Sequence, residues 1–173
     1  MKETAIIENL RNKLSMPGGR HLYCILGSYD KIDTFSVKLQ DARTHDGRRF
    51  PKPLSVNKGV LDTIPDNEFR RLVEDEAKRP EPTASHVAKA FEAFLRHSLS
   101  QHELVVLSNL EILFSYGIEL NLLRVMATDE QRIVLLLPGR MQTGQIVLFP
   151  EIDQSTYSLP SNLIAHDHIW IIS

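Results

Sequence analysis

The stretch Gly27-Ser28-Tyr29-Asp30-Lys31-Ile32-Asp33-Thr34 comes closest to a known chemical motif. It has the length of the phosphate-binding loop Gly-x4-Gly-Lys-Ser/Thr, whose backbone amides and lysine bind nucleotide phosphates. Gly27 and Thr34 match the first and last positions, whereas Ile32 and Asp33 stand where the second glycine and the lysine are required. A β-branched residue resists the backbone dihedrals of that glycine. The candidate phosphate-binding residues are therefore Gly27, Ser28, Lys31 and Thr34, in a degenerate loop.

The charge at Asp33 argues most strongly against nucleotide chemistry. A like-charge pair about 4 Å apart costs roughly 4 kcal/mol at an effective dielectric near 20. The N-terminus of a helix offers an anion only about 1 kcal/mol. The sequence therefore predicts that a phosphate loop at this place has lost most of its affinity for nucleotide.

A second position with a defined role in nucleotide hydrolysis is the acidic end of the strand that holds magnesium. Here the apolar run Glu103 to Leu107 ends in Ser108-Asn109, which brings no negative charge. Glu111 is the nearest carboxylate, and its position favours an exposed residue at a helix start that suits the helix dipole. Because both positions lack the required residue, the sequence favours a protein that is not an enzyme.

A basic run follows in Arg43, Arg48, Arg49 and Lys52, with His45 and Phe50 between the cations. Such a run would contact the phosphates of a nucleic acid. The alternative is a solvated loop, since flanking acids cancel the charge over the whole chain. These four cations are the candidate nucleic-acid-binding residues.

Other reactive side chains fit structural roles better. Cys24 lies in an apolar run and is expected in the core, and a single cysteine cannot form an internal disulfide. The group His166-Asp167-His168 provides no assignable third ligand for a metal, so surface histidines are expected. We expect no metal and no cofactor, with ATP and magnesium only if the atypical phosphate loop still functions.

The elements that position these residues alternate between strands and helices. Apolar runs predict strands, and spacings of three and four predict helices between them. The predicted strands span 21–26, 53–56, 103–107, 132–137, 144–149 and 168–172. The predicted helices span 4–14, 32–42, 58–64, 67–78, 83–98, 111–114 and 120–126. This order implies a three-layer α/β fold of the P-loop NTPase type, with a mostly parallel sheet, helices on both faces and a possible antiparallel edge hairpin after Pro138.

The chain resembles the small P-loop proteins called BrxF, most clearly their C-terminal half; these proteins belong to bacteriophage-exclusion (BREX) defence systems. The resemblance rests on Asn109-Leu110-Glu111-Ile112-Leu113-Phe114, Leu120-Asn121-Leu122-Leu123 and Ile133-Val134-Leu135-Leu136-Leu137-Pro138-Gly139, with Pro53-Leu54-Ser55-Val56-Asn57 in the middle. It covers residues 21–150. It implies that Gly27 and Thr34 fall in the phosphate loop, and that Asn109 and Glu111 follow the second site. It also implies a role in anti-phage defence within a larger assembly.

Length and composition complete the expectation. The chain has 173 residues, a net charge of −2 and 42% hydrophobic residues, which fits one globular domain over residues 1–173. No signal peptide or membrane span is apparent, so a cytoplasmic protein with no membrane partner is expected. Three functions remain open: an accessory or scaffold subunit that is not catalytic, a nucleotide-binding ATPase or switch, and a nucleic-acid-binding accessory protein. The expected partners are other subunits of a defence or mobile-element complex, with a homo-oligomer also possible.

Overall fold

The computed structural model describes residues 1–151 and 157–173 as an α/β protein with a mostly parallel central sheet. Its helices are α1 Glu3–Ser15, α2 Tyr29–Asp41, α3 Val56–Thr63, α4 Asp66–Glu76, α5 Pro80–Gln101, α6 Glu111–Ser115 and α7 Asn121–Met126, with a 3-10 turn at His166–His168. Its strands are β1 Leu22–Gly27, β2 Leu54–Ser55, β3 Leu104–Ser108, β4 Arg132–Gln142, β5 Gln145–Leu148, β6 Tyr157–Ser158 and β7 Ile169–Ile171.

The parallel part of the sheet has the strand order β2-β3-β4-β1-β7. β1 pairs with β4 from Leu22 opposite Ile133 to Gly27 opposite Pro138. All residues of β1 are buried, as expected for a parallel strand covered on both faces. The predicted three-layer α/β arrangement is confirmed at this level.

Two apolar clusters cover the two faces of the sheet. Alternate residues of β1 belong to different clusters, since successive side chains of a strand point to opposite faces. Tyr23 and Ile25 pack with α1 and α2, whereas Cys24 and Leu26 pack with α3, α5 and the later helices. The helix after β1 thus lies on one face, and those after β2 and β3 lie on the other.

This change of face places a topological switch point between β1 and β4. Open α/β sheets commonly bind ligands in the crevice outside the carboxyl ends of such a pair of strands. Any ligand site of the nucleotide-binding kind is therefore expected beside Gly27 and Pro138.

Strand β4 runs through Pro138, where the sequence predicts its end. Pro138 lies opposite the last residue of β1, and its carbonyl accepts a hydrogen bond from the Phe149 amide at 2.9 Å. The extension pairs antiparallel with β5 from Gly139 to Gln142, through a turn at Thr143 (φ 48°) and Gly144 (φ 80°). The predicted hairpin is thus present, but it continues a central strand rather than forming an edge of the sheet.

Two helices, α2 and α5, begin three residues earlier than the sequence predicts. Helix α2 starts at Tyr29 rather than Ile32, because only Ser28 separates it from the strand. Helix α5 starts at Pro80, in the segment between the predicted helices 67–78 and 83–98. Proline is favoured in the first helical turn, where its missing N–H costs nothing.

The apolar end of the chain is covered by the protein itself. Trp170 in β7 is 8% exposed and stacks on Tyr23, with ring centroids 5.9 Å apart. In the described ranges, no helix combines the length and apolar character needed to cross a bilayer.

Candidate functional site

The predicted phosphate loop is a sharp strand-to-helix connection. β1 ends at Gly27, Ser28 is extended (φ −67°, ψ 164°), and α2 begins at the next residue. A Cβ atom on Gly27 would lie 3.2 Å from Lys31 Cβ and 3.3 Å from Ile172 Cδ1. The glycine therefore allows the close approach of α2 and the C-terminal strand to β1.

The remaining candidate phosphate residues lie on helix α2. Lys31 is exposed in the first turn, and the Thr34 hydroxyl donates to the Asp30 carbonyl at 2.8 Å. Asp33, which replaces the motif's lysine, is also exposed. The structure therefore does not bring Lys31 and Thr34 together around a phosphate, and their role in binding stays a prediction.

Hydrogen bonds connect three helices at the carboxyl edge of the sheet. The Tyr29 hydroxyl donates to Glu111 Oε1 at 3.1 Å, and Asn57 Nδ2 donates to Glu111 Oε2 at 2.8 Å. Asn57 Oδ1 in turn accepts the backbone amide of Ile112 at 2.9 Å. We call Tyr29, Asn57 and Glu111 the edge cluster. It joins the starts of α2, α3 and α6.

Strand β3 leads into this cluster through Asn109. Its φ of 52° lies in the left-handed region, which asparagine tolerates better than most residues. Its carbonyl accepts the Asn57 amide at 2.9 Å, and its Nδ2 donates to Ser55 Oγ at 3.2 Å. Asn109 thus positions Asn57 beside Glu111.

The electrostatics of the edge cluster favour a fixed, neutral phenol. Burial raises the pKa of Tyr29 well above its ordinary value, and the Glu111 carboxylate raises it further. A phenol with a raised pKa remains a hydrogen-bond donor at neutral pH, whereas a base or nucleophile requires a lowered pKa. Both oxygens of Glu111 already accept hydrogen bonds. The cluster therefore joins three helices without presenting a free carboxylate.

The β4–β5 hairpin places apolar side chains beside the carboxyl ends of β1 and β4. A Cβ atom on Gly139 would lie 2.9 Å from Leu148 Cδ2 and 3.4 Å from Leu26 Cδ2. Leu148 is fully buried, and Phe149 is 2% exposed. The Phe149 ring meets Phe114 edge-on, with centroids 5.2 Å apart. Apolar side chains therefore occupy the space beside the carboxyl ends of β1 and β4.

The four predicted nucleic-acid-binding cations lie in the connection between α2 and β2. Arg43 and Arg49 form a backbone bridge, and the Arg43 guanidinium donates to the Gly47 carbonyl at 2.7 Å. Arg48 pairs with Asp46 at 2.6 Å and Glu103 at 3.2 Å. Lys52 is exposed. Arg48 and Arg49 line a cavity at the amino edge of the sheet, whereas Arg43 and Lys52 do not.

Two histidines near the C-terminal strand, His21 and His168, are held by structural contacts. His21 Nδ1 lies 2.7 Å from the Tyr23 hydroxyl, and His21 Nε2 lies 3.2 Å from Asp129 Oδ1. Asp167 pairs with Lys13, and His168 Nδ1 lies 3.2 Å from the Leu22 carbonyl. Residues 1–151 and 157–173 contain no group of three or more His, Cys, Asp or Glu side chains placed to hold a metal.

Sequence reasoning missed two of the three members of the edge cluster. Tyr29 stands at a variable position of the Gly27–Thr34 stretch, and Asn57 was singled out for no role. Both meet Glu111 because β1, β2 and β3 end at one edge of the sheet. Cys24 is buried as predicted, and burial raises the pKa of its thiol.

Fold and site together define a three-layer α/β protein in which buried apolar side chains, among them Leu26, Leu137 and Leu148, lie at the carboxyl ends of β1 and β4. Comparison with protein-family models, with curated proteins and with solved structures gave no significant match.

Proposed function

We propose that this chain is a P-loop-like accessory or scaffold subunit of a prokaryotic anti-phage defence complex and that it is not catalytic. The layout of a nucleotide-binding fold supports the P-loop part of the proposal: β1 lies inside a parallel sheet, helix α2 follows it directly, and the change of face falls beside it. The resemblance to the BrxF family supports the defence context.

The observation that carries the proposal is the apolar packing of the β4–β5 hairpin beside the carboxyl ends of β1 and β4. Leu148 lies opposite Gly139 in the hairpin, and Leu148 and Phe149 are buried. A nucleotide beside Gly27 and Pro138 would compete for space with these two side chains.

The edge cluster opposes magnesium binding in the same way. Each Glu111 oxygen already accepts a hydrogen bond, one from Tyr29 and one from Asn57. Hydrogen bonds to charged groups contribute about 1.5–3 kcal/mol each, so an ion that displaced either donor would lose that contribution. These contacts support a structural role for Glu111, and we infer that the fold is retained for protein contacts.

The first test measures ATP hydrolysis by the purified full chain with magnesium, beside a Glu111→Gln variant. The proposal predicts no turnover above the buffer blank for either protein. Turnover by the wild type that Glu111→Gln abolishes would refute the non-catalytic assignment.

A second test addresses the assembly. The chain, tagged at its native locus, is purified from its host, and the masses of the complex and its subunits are measured. A complex of fixed stoichiometry with products of neighbouring defence genes would support the scaffold role. A monomer or homo-oligomer alone would refute it.

The nucleotide-switch alternative makes a distinct prediction. It requires Lys31, exposed at the start of α2, to contact a phosphate. A Lys31→Ala variant should then weaken magnesium-dependent ATP binding, whereas an Arg70→Ala variant on α4 should not. Unchanged binding in both variants would exclude this alternative.

A further inference from the structure

A large cavity lies at the amino edge of the sheet, opposite the edge cluster. Its volume is about 570 Å³, within the range of about 300–1,000 Å³ typical of small-molecule sites. The end of α1, the segment between α2 and β2, and the starts of β3 and β4 form its walls. Four arginines line it: Arg11, Arg48, Arg49 and Arg132.

The arginines that line this cavity outnumber its carboxylates. Its two lining carboxylates, Asp46 and Glu103, both pair with Arg48. Arg11 pairs with Glu8, at 2.8 Å. Within residues 1–151 and 157–173, Arg49 and Arg132 have no salt-bridge partner. Two guanidinium groups therefore remain available to an anion.

Buried hydrogen-bonding groups without partners concentrate at this cavity. In the described part of the chain, three buried side-chain nitrogen or oxygen atoms lack a hydrogen-bond partner: Arg11 Nε, Arg132 Nε and Thr83 Oγ1. Two of the three belong to arginines that line the cavity. Leaving a buried polar group without a hydrogen bond costs about 1–3 kcal/mol. Such groups in a native protein therefore call for an explanation, and one explanation is a bound ion.

Arg132 is held on a rigid part of the fold. It begins β4, pairs with Leu104 of β3, and its backbone amide donates to the Glu103 carbonyl at 2.7 Å. Side chains on strands hold their geometry better than side chains on loops. Arg132 is therefore positioned before a ligand arrives.

We propose that this cavity binds the phosphate of a nucleotide-sized ligand through Arg49 and Arg132. Guanidinium forks match phosphate oxygens with two parallel hydrogen bonds and keep their charge at every physiological pH. The apolar walls at Leu14 and Leu104 suit the flat, less polar part of a nucleotide. Binding through arginines requires no metal.

The ligand approaches from the side of α1. Arg132 also lines an adjoining cavity, where Asp129 and Glu130 add negative charge. Those carboxylates repel an anion on that side. The phosphate bound here belongs either to a free nucleotide or to one nucleotide of a single-stranded nucleic acid. This proposal is independent of the function proposed for the carboxyl edge.

The test measures binding of AMP, ATP and a single-stranded 20-nucleotide DNA to the full chain in EDTA, by calorimetry and fluorescence anisotropy. The variants are Arg132→Gln, Arg132→Lys and Arg49→Gln, with Arg70→Gln on α4 as the matched control. Arg49 is exposed, so its variant keeps the test valid if Arg132→Gln fails to fold by circular dichroism.

We expect metal-independent binding that Arg132→Gln and Arg49→Gln each weaken about tenfold or more, as for loss of a charge-assisted bond. Arg132→Lys should weaken binding less than Arg132→Gln, and Arg70→Gln should leave it unchanged. Binding of AMP or ATP identifies a free nucleotide as the source, and binding of the DNA alone identifies a strand. No binding in any arm, or binding that the arginine variants leave unchanged, would overturn the proposal.

Discussion

At the scale of single residues, the best-defined contact of the edge cluster joins Tyr29 and Glu111. The Tyr29 hydroxyl donates to Glu111 Oε1, so one oxygen of this carboxylate already accepts a hydrogen bond. Asp33, which stands where the motif has its lysine, is exposed. Both features support the proposed absence of nucleotide hydrolysis.

Removal of the Tyr29 hydroxyl tests whether this contact stabilises the folded protein. Tyr29→Phe should lower the free energy of unfolding by about 1 kcal/mol, because one side-chain hydrogen bond is lost. Urea denaturation measures the change. In a Glu111→Ala background the same substitution should cost less, and equal costs in both backgrounds would show that the two side chains are not coupled.

The left-handed backbone at Asn109 makes a second prediction at this scale. Asn109→Val should destabilise the protein by about 1–2 kcal/mol more than Asn109→Gly, because a β-branched residue resists a φ of 52°. Thermal or urea unfolding of the two variants makes the comparison. If valine and glycine cost the same, the positive φ does not exist in the protein in solution.

At the scale of elements, the packing of α3 against α5 depends on a glycine. A methyl group at Gly59 would overlap the ring of Phe94. Gly59→Ala should therefore destabilise the protein by about 1–3 kcal/mol, as overpacking does. Helix propensity alone predicts a gain of about 1 kcal/mol, so the sign of the measured change decides between the two effects.

A double-mutant cycle assigns the cause. In a Phe94→Leu background the ring is absent, so Gly59→Ala should lose most of its cost. A cost that persists without the ring would show that the overlap with Phe94 is not responsible.

Helix and strand positions were largely predictable, whereas their junctions were not. The apolar runs of β1 and β3 and the three- and four-residue spacing in α1 are local signals. The structure confirms the predicted bounds of these three elements to within a residue or two. The start of α2 at Tyr29 and the passage of β4 through Pro138 depend on partners distant in sequence. Pro138 fits because the β1 ladder ends opposite it, which the local sequence does not encode.

The candidate sites show the same limit. The Gly27–Thr34 stretch is visible as a motif, but the local sequence does not show that Ile172 leaves little space for a side chain at Gly27. Arg48 and Arg49 are visible as part of a basic run. Arg11 and Arg132 line the same cavity because the end of α1 lies near the starts of β3 and β4, which the local sequence does not show.

At the scale of the whole molecule, one buried histidine links stability to pH. His21 is 2% exposed, and burial is the largest cause of a pKa below its ordinary value of 6.5. Asp129 raises that pKa, whereas Arg132 and His168 lower it, and burial outweighs Asp129. In the unfolded chain the imidazole takes up a proton near pH 6.5, whereas in the folded chain it does so only at lower pH.

The sign of the effect follows from proton linkage. Below pH 6.5 the unfolded state binds more protons than the folded state, so the free energy of unfolding falls as the pH falls. Urea denaturation from pH 7.5 to pH 5 should show this decline, and a His21→Gln variant should show a shallower one. A His21→Gln variant with the same slope as the wild type would locate the effect elsewhere.

We propose that this chain keeps a P-loop-like layout without nucleotide chemistry at the carboxyl edge. Isothermal titration of ATP, with magnesium and with EDTA, into the wild type, Lys31→Ala and Arg132→Gln tests it most directly. We expect no magnesium-dependent component of binding, and any metal-independent binding should weaken about tenfold or more in Arg132→Gln and be unchanged in Lys31→Ala. Magnesium-dependent binding that Lys31→Ala removes and Arg132→Gln preserves would contradict it.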